Sequence, residues 1–256
     1  MKTQSKNTNE RIQKVLANRG LGSRREIEKW IRQGRLLIGN KPAQLGDKLN
    51  GDESIFFDGR LIRAPKKLKP VVECLAYHKP IGEITTRKDP EGRTTIYDRF
   101  NAPRHGRWIS VGRLDINTSG LIILTTDGEL AHRLMHPSYE IARSYAVRIL
   151  GRLSRRQVAS LKEGVNIGEG IARFSVIKPS GGTGANTWYN VTLHEGKNRE
   201  VRRLFEAVDI TVSRLLRISY GPIDMGDLRR GKFRVLSKEE IMSLYTAVDL
   251  AIGDSS

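Results

Sequence analysis

The sequence is poor in cysteine, in long apolar runs and in acidic residues. Cys74 is the single cysteine among 256 residues, so no intramolecular disulfide can form. The five histidines and that cysteine offer neither paired CxxC units nor an HExxH, so no metal is expected. Cys74 lies in the apolar run 71–77 and reads as a small core residue. The short runs 36–38 and 121–124 suit buried strands. Neither approaches the roughly 20 residues of a membrane-spanning helix. Residues 1–10 are polar and lack the apolar centre of a signal peptide. The expectation is a cytoplasmic protein with no membrane partner and disordered residues 1–9. Ser180-Gly181-Gly182-Thr183-Gly184 reads as a flexible loop; its glycines do not match a phosphate-binding loop, so no nucleotide cofactor is implied.

Positive charge is in excess. Lys plus Arg number 45 against 28 Asp plus Glu, a net +17. Such a surface attracts polyanions, which in the cytosol means chiefly nucleic acid. The basic residues also fall in particular segments.

The length suits two domains, or one large one. In the first, residues 10–63, Ile12, Val15 and Leu16 follow helical spacing and Gly20 can close the helix. Ser23-Arg24-Arg25-Glu26 has the form of a capping box and opens a second helix carrying Ile27, Trp30 and Ile31, ended by Gly34. A strand at 35–38 and a hairpin around Asp58-Gly59 follow. The polar helix faces carry Arg11, Lys14, Arg19, Arg24, Arg25, Lys29, Arg32 and Arg35, which suits contact with an RNA backbone. Residues 64–70, with two prolines and three lysines, read as a linker.

The second domain, residues 71–248, has strand-like runs at 71–77, 120–125, 144–150, 171–177, 187–193 and 213–219. Helical patterns fall at 129–135, 154–161, 199–208 and 238–244. Strands outnumber helices without strict alternation, which predicts an α+β domain: a mixed, mostly antiparallel sheet flanked by helices. Residues 249–256 are expected to be disordered.

The most informative stretch is Gly112-Arg113-Leu114-Asp115-Ile116-Asn117-Thr118-Ser119-Gly120-Leu121. It places a carboxylate between an arginine and small polar residues just before a buried strand. Taken alone, Asp115 also fits a turn aspartate bonding the backbone of Asn117 or Thr118. On the 199–208 helix, Val201, Leu204, Phe205 and Val208 form the apolar face. Arg202 lies at its edge, whereas Arg199 and Arg203 point nearly opposite.

Gly-Arg-Leu-Asp followed by Thr-Ser-Gly-Leu resembles the hallmark of the ribosomal RNA pseudouridine synthases that carry an S4 domain. Residues 11–17, Gly22-Ser23-Arg24-Arg25 and the strand at 34–39 resemble the S4 RNA-binding domain itself. Further similarities are His78-Lys79-Pro80, Thr125-Thr126-Asp127-Gly128, Met135-His136-Pro137, Arg143-Ser144-Tyr145 and 195–203. Together they span about residues 10–235. The 188–193 stretch is similar to the B-type branch acting on large-subunit (23S) rRNA.

The resemblance implies that Asp115 is the catalytic carboxylate, paired with Arg202, and that Tyr145 stacks on the target base. Arg113 would fill the gap left by the extruded uridine. Arg199 and Arg203 would meet RNA, as would Arg11, Lys14, Arg24, Arg25 and Arg32. The reaction breaks the C1′–N1 bond and joins C5 to C1′, an atom balance that requires no cofactor. Asp115 could attack C1′ or remove a ribose proton; both roles need it ionised. From the residues alone Tyr145 also fits a core position, and the five histidines read as structural. The competing readings are a synthase for a small-subunit or another 23S uridine, and a non-catalytic ribosome-assembly factor on the same fold. The cleft carboxylate argues for the enzyme, because an acid in an RNA groove repels phosphate. A monomer is expected.

Overall fold

A computed structural model describes residues 9–50, 53–62 and 71–251. The expected linker at 64–70 lies outside the described residues, as do 1–8 and 252–256. The chain divides into two compact units, one of residues 1–72 with Ala102–Arg107, the other of Glu73–Asn101 with 108–256. The six residues 102–107 thus pack with the N-terminal unit, although sequence continuity placed them in the second domain.

The N-terminal unit comprises β1 (Glu10–Arg11), α1 (Ile12–Asn18), α2 (Arg24–Arg32), β2 (Leu36–Ile38), β3 (Lys41–Pro42), β4 (Lys48–Leu49), β5 (Ile55–Phe57) and β6 (Arg60–Ile62). Ser23 caps α2 reciprocally with Glu26, as the motif predicts. Asp58 and Gly59 both take positive φ, which a two-residue hairpin between β5 and β6 demands. Ile12, Leu16, Ile27, Leu36, Leu49 and Ile55 close a small core between the helices and the β3-β2-β5-β6 sheet.

The second unit comprises β7 (Cys74–Lys79), β8 (Ile109–Val111), β9 (Ser119–Thr125), α3 (Gly128–Met135), β10 (Arg143–Leu150), α4 (Arg155–Glu163), β11 (Val165–Asn166), β12 (Ile171–Ala172), β13 (Val176–Thr183), β14 (Asn186–Leu193), α5 (Glu200–Glu206), β15 (Val212–Tyr220), β16 (Ile223–Asp224), β17 (Phe233–Val235) and α6 (Lys238–Thr246). Its nine-stranded sheet runs β13-β14-β10-β15-β9-β7-β17, with β16 on β15 and β8 on β9. The β15–β9 pairing is parallel and the others are antiparallel, so the sheet is mixed and mostly antiparallel. All seven residues of β9 are buried, which explains its continuous apolar run. On β10 burial alternates, with Arg143, Tyr145, Val147 and Ile149 turned inward.

Two expectations need correction. The strand at 171–177 is broken: β12 ends at Ala172, and the chain leaves strand geometry so that Phe174 can bury against Phe205, with ring centroids 5.6 Å apart. The glycine-rich 180–184 segment is not a free loop. β13 continues to Thr183 through a register shift between Pro179 and Gly182. Cys74 is buried as expected, and burial pushes its thiol up to about 11. At the C-terminus the backbone stays bonded beyond residue 248, with Leu250 N–H donating to the Tyr245 carbonyl.

Candidate active site

A cleft of about 420 Å³ opens in the second unit, lined by the 112–118 loop, the inward face of β10 and β15, and the segment 195–202. It brings together Asp115, Tyr145 and Arg202, which are 87 positions apart in sequence at the extremes (202 − 115). Arg113 and Arg199 also line it.

The loop is pinned before it presents anything. Leu114 is buried at 4 % exposure, so Arg113 and Asp115 on either side face outward. Thr85 Oγ1 bonds both the N–H and the carbonyl of Leu114, and Gly82 N–H donates to the Ile116 carbonyl at 2.8 Å. Lys79 Nζ, fully buried beneath the loop, donates to the carbonyls of Pro80 and Thr118, each at 2.9 Å. Glu83, which shapes the segment bearing Gly82 and Thr85, accepts from Tyr77 Oη at 2.6 Å and from Arg99 Nε at 2.7 Å. Downstream, Gly120 has φ +116°, and a Cβ there would fall 2.3 Å from the Arg217 carbonyl oxygen. Only glycine permits β9 to approach β15 so closely.

Asp115 is exposed at the cleft mouth. Among the described residues no backbone N–H donates to its carboxylate, so the turn-aspartate reading does not hold and the group stands free for chemistry. The expected direct ion pair with Arg202 is also absent. Arg202 instead donates through Nη1 to the Val212 carbonyl and through Nη2 to the Asn117 carbonyl, each at 3.0 Å. Its donors are drawn to fixed carbonyls at the start of β15 and in the loop, so it ties the loop to β15. Burial, and then Arg199, lower the Arg202 guanidinium from its ordinary value, and Asp115 opposes the shift. Burial likewise lowers the Lys79 ammonium to about 8, against the pull of Glu83 and Asp115. Two cations therefore flank one exposed carboxylate.

Tyr145, 8 % exposed, faces the cleft from β10. Behind it Arg143 donates to the carbonyls of Ile141, His194 and Glu195 and to Tyr220 Oη, tying β10 to the loop before α5. Three of the histidines make polar contacts: His78 with the Leu228 carbonyl, His136 with Ser138 and His194 with the Glu140 carbonyl. Among the described residues no cluster of three or more His, Cys, Asp or Glu side chains could hold a metal ion.

The residues expected to meet RNA fall into two sets. Arg11, Arg24, Arg25 and Arg32 are exposed on the N-terminal unit, and Arg113 and Arg199 are exposed on the second. Lys14 is half-buried and paired with Glu10 at 2.8 Å. Arg203 is not the free surface cation that helical geometry suggested: its Nη1 lies 2.6 Å from Glu169, on the turn between β11 and β12. Lys79, Thr85 and Arg217 were missed as site residues. Lys79 sat in a recognised motif, and Arg217 was visible as a lone cation in the apolar run 215–218.

Two family models match. The RNA pseudouridylate synthase model covers residues 73–207, and the S4 domain model covers residues 10–55. A ribosomal large subunit pseudouridine synthase B of Escherichia coli K12 is 50% identical over 250 residues, spanning 96% of this chain and 86% of the relative. The corresponding Pseudomonas aeruginosa protein is 49% identical over 243 residues, 94% of this chain and 63% of the relative. A crystal structure of a pseudouridylate synthase superposes with a TM-score of 0.63 at 27% identity, covering 92% of this chain and 99% of that one. With the catalytic model matched over more than half its length and relatives at half identity along nearly all of it, the chain belongs to the RNA pseudouridylate synthase family, in the branch that carries an S4 domain.

Proposed function

We propose that this protein isomerises a uridine of large-subunit (23S) ribosomal RNA to pseudouridine, with Asp115 as the catalytic carboxylate, Tyr145 against the target base and Arg202 as the partner cation. The observation that carries the reading is the free Asp115 carboxylate at the mouth of a cleft shared with Tyr145 and Arg202. The Asp115 charge in turn favours the protonated forms of Lys79 and Arg202 through space. An ionised carboxylate can bond to C1′ or take a ribose proton, and either act releases the base from C1′. Arg113, exposed beside Asp115 on the cleft wall, would enter the stack that the uridine leaves. The large-subunit target is supported by relatives whose names carry that substrate. Work on rRNA during ribosome assembly implies a cytoplasmic protein, and the reading takes it as a monomer.

The test pairs mapping with a point variant. Pseudouridines in 23S rRNA are mapped in cells with and without the gene, and the purified Asp115→Asn protein is assayed on an rRNA fragment. The expected result is one missing pseudouridine, no turnover by the variant, and RNA affinity within about tenfold of wild type, roughly 1.4 kcal/mol. Turnover near wild type by Asp115→Asn, or an unchanged 23S map, would overturn the reading.

A further inference from the structure

The floor of the cleft holds two polar groups that the roles above leave idle. Arg217 is 2 % exposed, and so is Thr118. Arg217 Nε donates to the Leu121 carbonyl at 2.7 Å, and its guanidinium lies 5.0 Å from the Tyr220 ring centroid. Its Nη2 is buried without a partner, as is Thr118 Oγ1. Among the described residues Arg217 also has no ion pair. Both residues line the cleft. The sheet brings them together: Arg217 is opposite Gly120 in the parallel β15–β9 pairing, two residues beyond Thr118. Arg217 is also opposite Tyr145 in the β10–β15 pairing, so both side chains rise from one face of the sheet.

A buried guanidinium without an anion is costly, and a buried hydroxyl without a partner adds to the cost. Such groups persist where an incoming ligand completes them. The exposed cations of the site, Arg113 and Arg199, suit phosphates. A single buried donor beside a hydroxyl, next to the tyrosine, suits the edge of a planar base.

We propose that Arg217 and Thr118 bind the target uracil during the isomerisation, Arg217 stabilising the base as it leaves C1′. This rests on the pseudouridine synthase reading. When the C1′–N1 bond breaks, its electron pair goes to N1, and the base becomes an anion whose charge is shared with O2 and O4. Arg217 Nη2 donates to one of those oxygens, and Thr118 Oγ1 accepts from N3–H. Uracil presents O2, N3–H and O4 symmetrically about the line from N3 to C6. A half-turn about that line exchanges O2 with O4 and N1 with C5. The same two side chains therefore hold the base before and after it turns, and C5 arrives where N1 stood. C1′, which took a bond from Asp115 or gave up a ribose proton to it as the base left, then bonds to C5 while that bond breaks or that proton returns; C5 loses its proton, and N1 gains one.

The experiment measures single-turnover loss of the target nucleoside in an rRNA fragment, with full-length protein. The target is either uridine or 5-fluorouridine, whose electron-withdrawing fluorine makes the base a better leaving group. Arg217→Met should slow the uridine reaction on the order of 100-fold, the scale of losing one oxyanion donor. RNA affinity should change by less than about threefold. With 5-fluorouridine the defect should shrink markedly, because the leaving base needs less help. Thermal melting checks that the methionine variant is folded. If it is not, Arg217→Lys, which keeps the buried charge, carries the same comparison. Equal defects on both targets, or an unimpaired Arg217 variant, would overturn the proposal. Wild-type protein that fails to convert the uridine fragment would instead refute the underlying activity, so the two failures are distinguishable.

Discussion

The hydroxyl of Thr85 braces the backbone of Leu114 on both sides, accepting from its N–H at 3.3 Å and donating to its carbonyl at 3.2 Å. Leu114 immediately precedes Asp115, so this one side chain sets the direction in which the carboxylate proposed as catalytic leaves the loop. Thr85→Val keeps the volume and removes the brace. It should lower kcat about ten- to hundredfold through misplacement of Asp115, while KM for the rRNA fragment stays near wild type. Thr85→Ser should restore kcat. A variant whose KM rises while kcat holds would show that Thr85 acts on binding instead.

Lys79 gives the protein a pH-dependent stability term. The folded protein holds this ammonium down to about 8, against an ordinary value of 10.5. Between those values the unfolded chain binds more protons than the folded one, so stability rises with pH there. Below about 8 both states carry the charge, and the folded state bears the whole cost of burying it. Urea unfolding of wild type and Lys79→Met checks this. The wild-type stability minus that of the variant should climb from pH 8 to pH 10.5, by on the order of 3 kcal/mol in all. A flat difference across that window would mean that Lys79 is not held in a desolvated state.

The N-terminal unit has its own core, separate from that around Val147, Ile149, Val191, Leu204 and Phe205 in the second. Removing residues 1–63 should therefore leave a folded catalytic domain that binds rRNA more weakly. Arg11, Arg24, Arg25 and Arg32 are exposed cations of the lost unit. Each phosphate contact removed should flatten the slope of log affinity against log salt by roughly 0.7–0.9. An unchanged slope would mean that these arginines do not meet RNA.

The sequence carried the fold where local chemistry decides it. The Ser23 box, the Asp58-Gly59 hairpin and the apolar run of β9 each announce their own geometry. The break at Phe174 was not legible, because a buried aromatic reads the same inside a strand and in a plug beside it. Short strands such as β8 and β17 exist only because β9 and β7 offer them an edge. At the site, Asp115 and Tyr145 were marked by motifs, and the cleft does contain both. Partners set by tertiary contact were not. Helical phase placed Arg202 at the edge of the buried face and Arg203 toward solvent, but no phase angle reveals the carbonyls of Asn117 and Val212 or the carboxylate of Glu169.

Those partners sharpen the contrast between the two arginines. Arg202 joins the Asp115 loop to the start of β15 through two different nitrogens. Arg202→Ala would strand both carbonyls and release the Asp115 loop from the start of β15, so single-turnover rates should fall by about a hundredfold or more. Affinity for the rRNA fragment should fall less. Arg202→Lys should rescue poorly, since an ammonium is a point charge and lacks the planar fork that reaches two acceptors at once. Arg203 meets Glu169 in a partly exposed pair, with side-chain exposures of 30% and 46%. Such pairs contribute about 0–1 kcal/mol, so Arg203→Ala should leave the single-turnover rate within about threefold and cost little stability. The double variant Arg203→Ala, Glu169→Ala should behave much like either single one, because the residues interact mainly with each other. Single-turnover rates at saturating enzyme separate chemistry from binding. Equal losses for Arg202→Ala and Arg203→Ala would mean that α5 does not divide into a face that holds the Asp115 loop and a face that pairs with its neighbour.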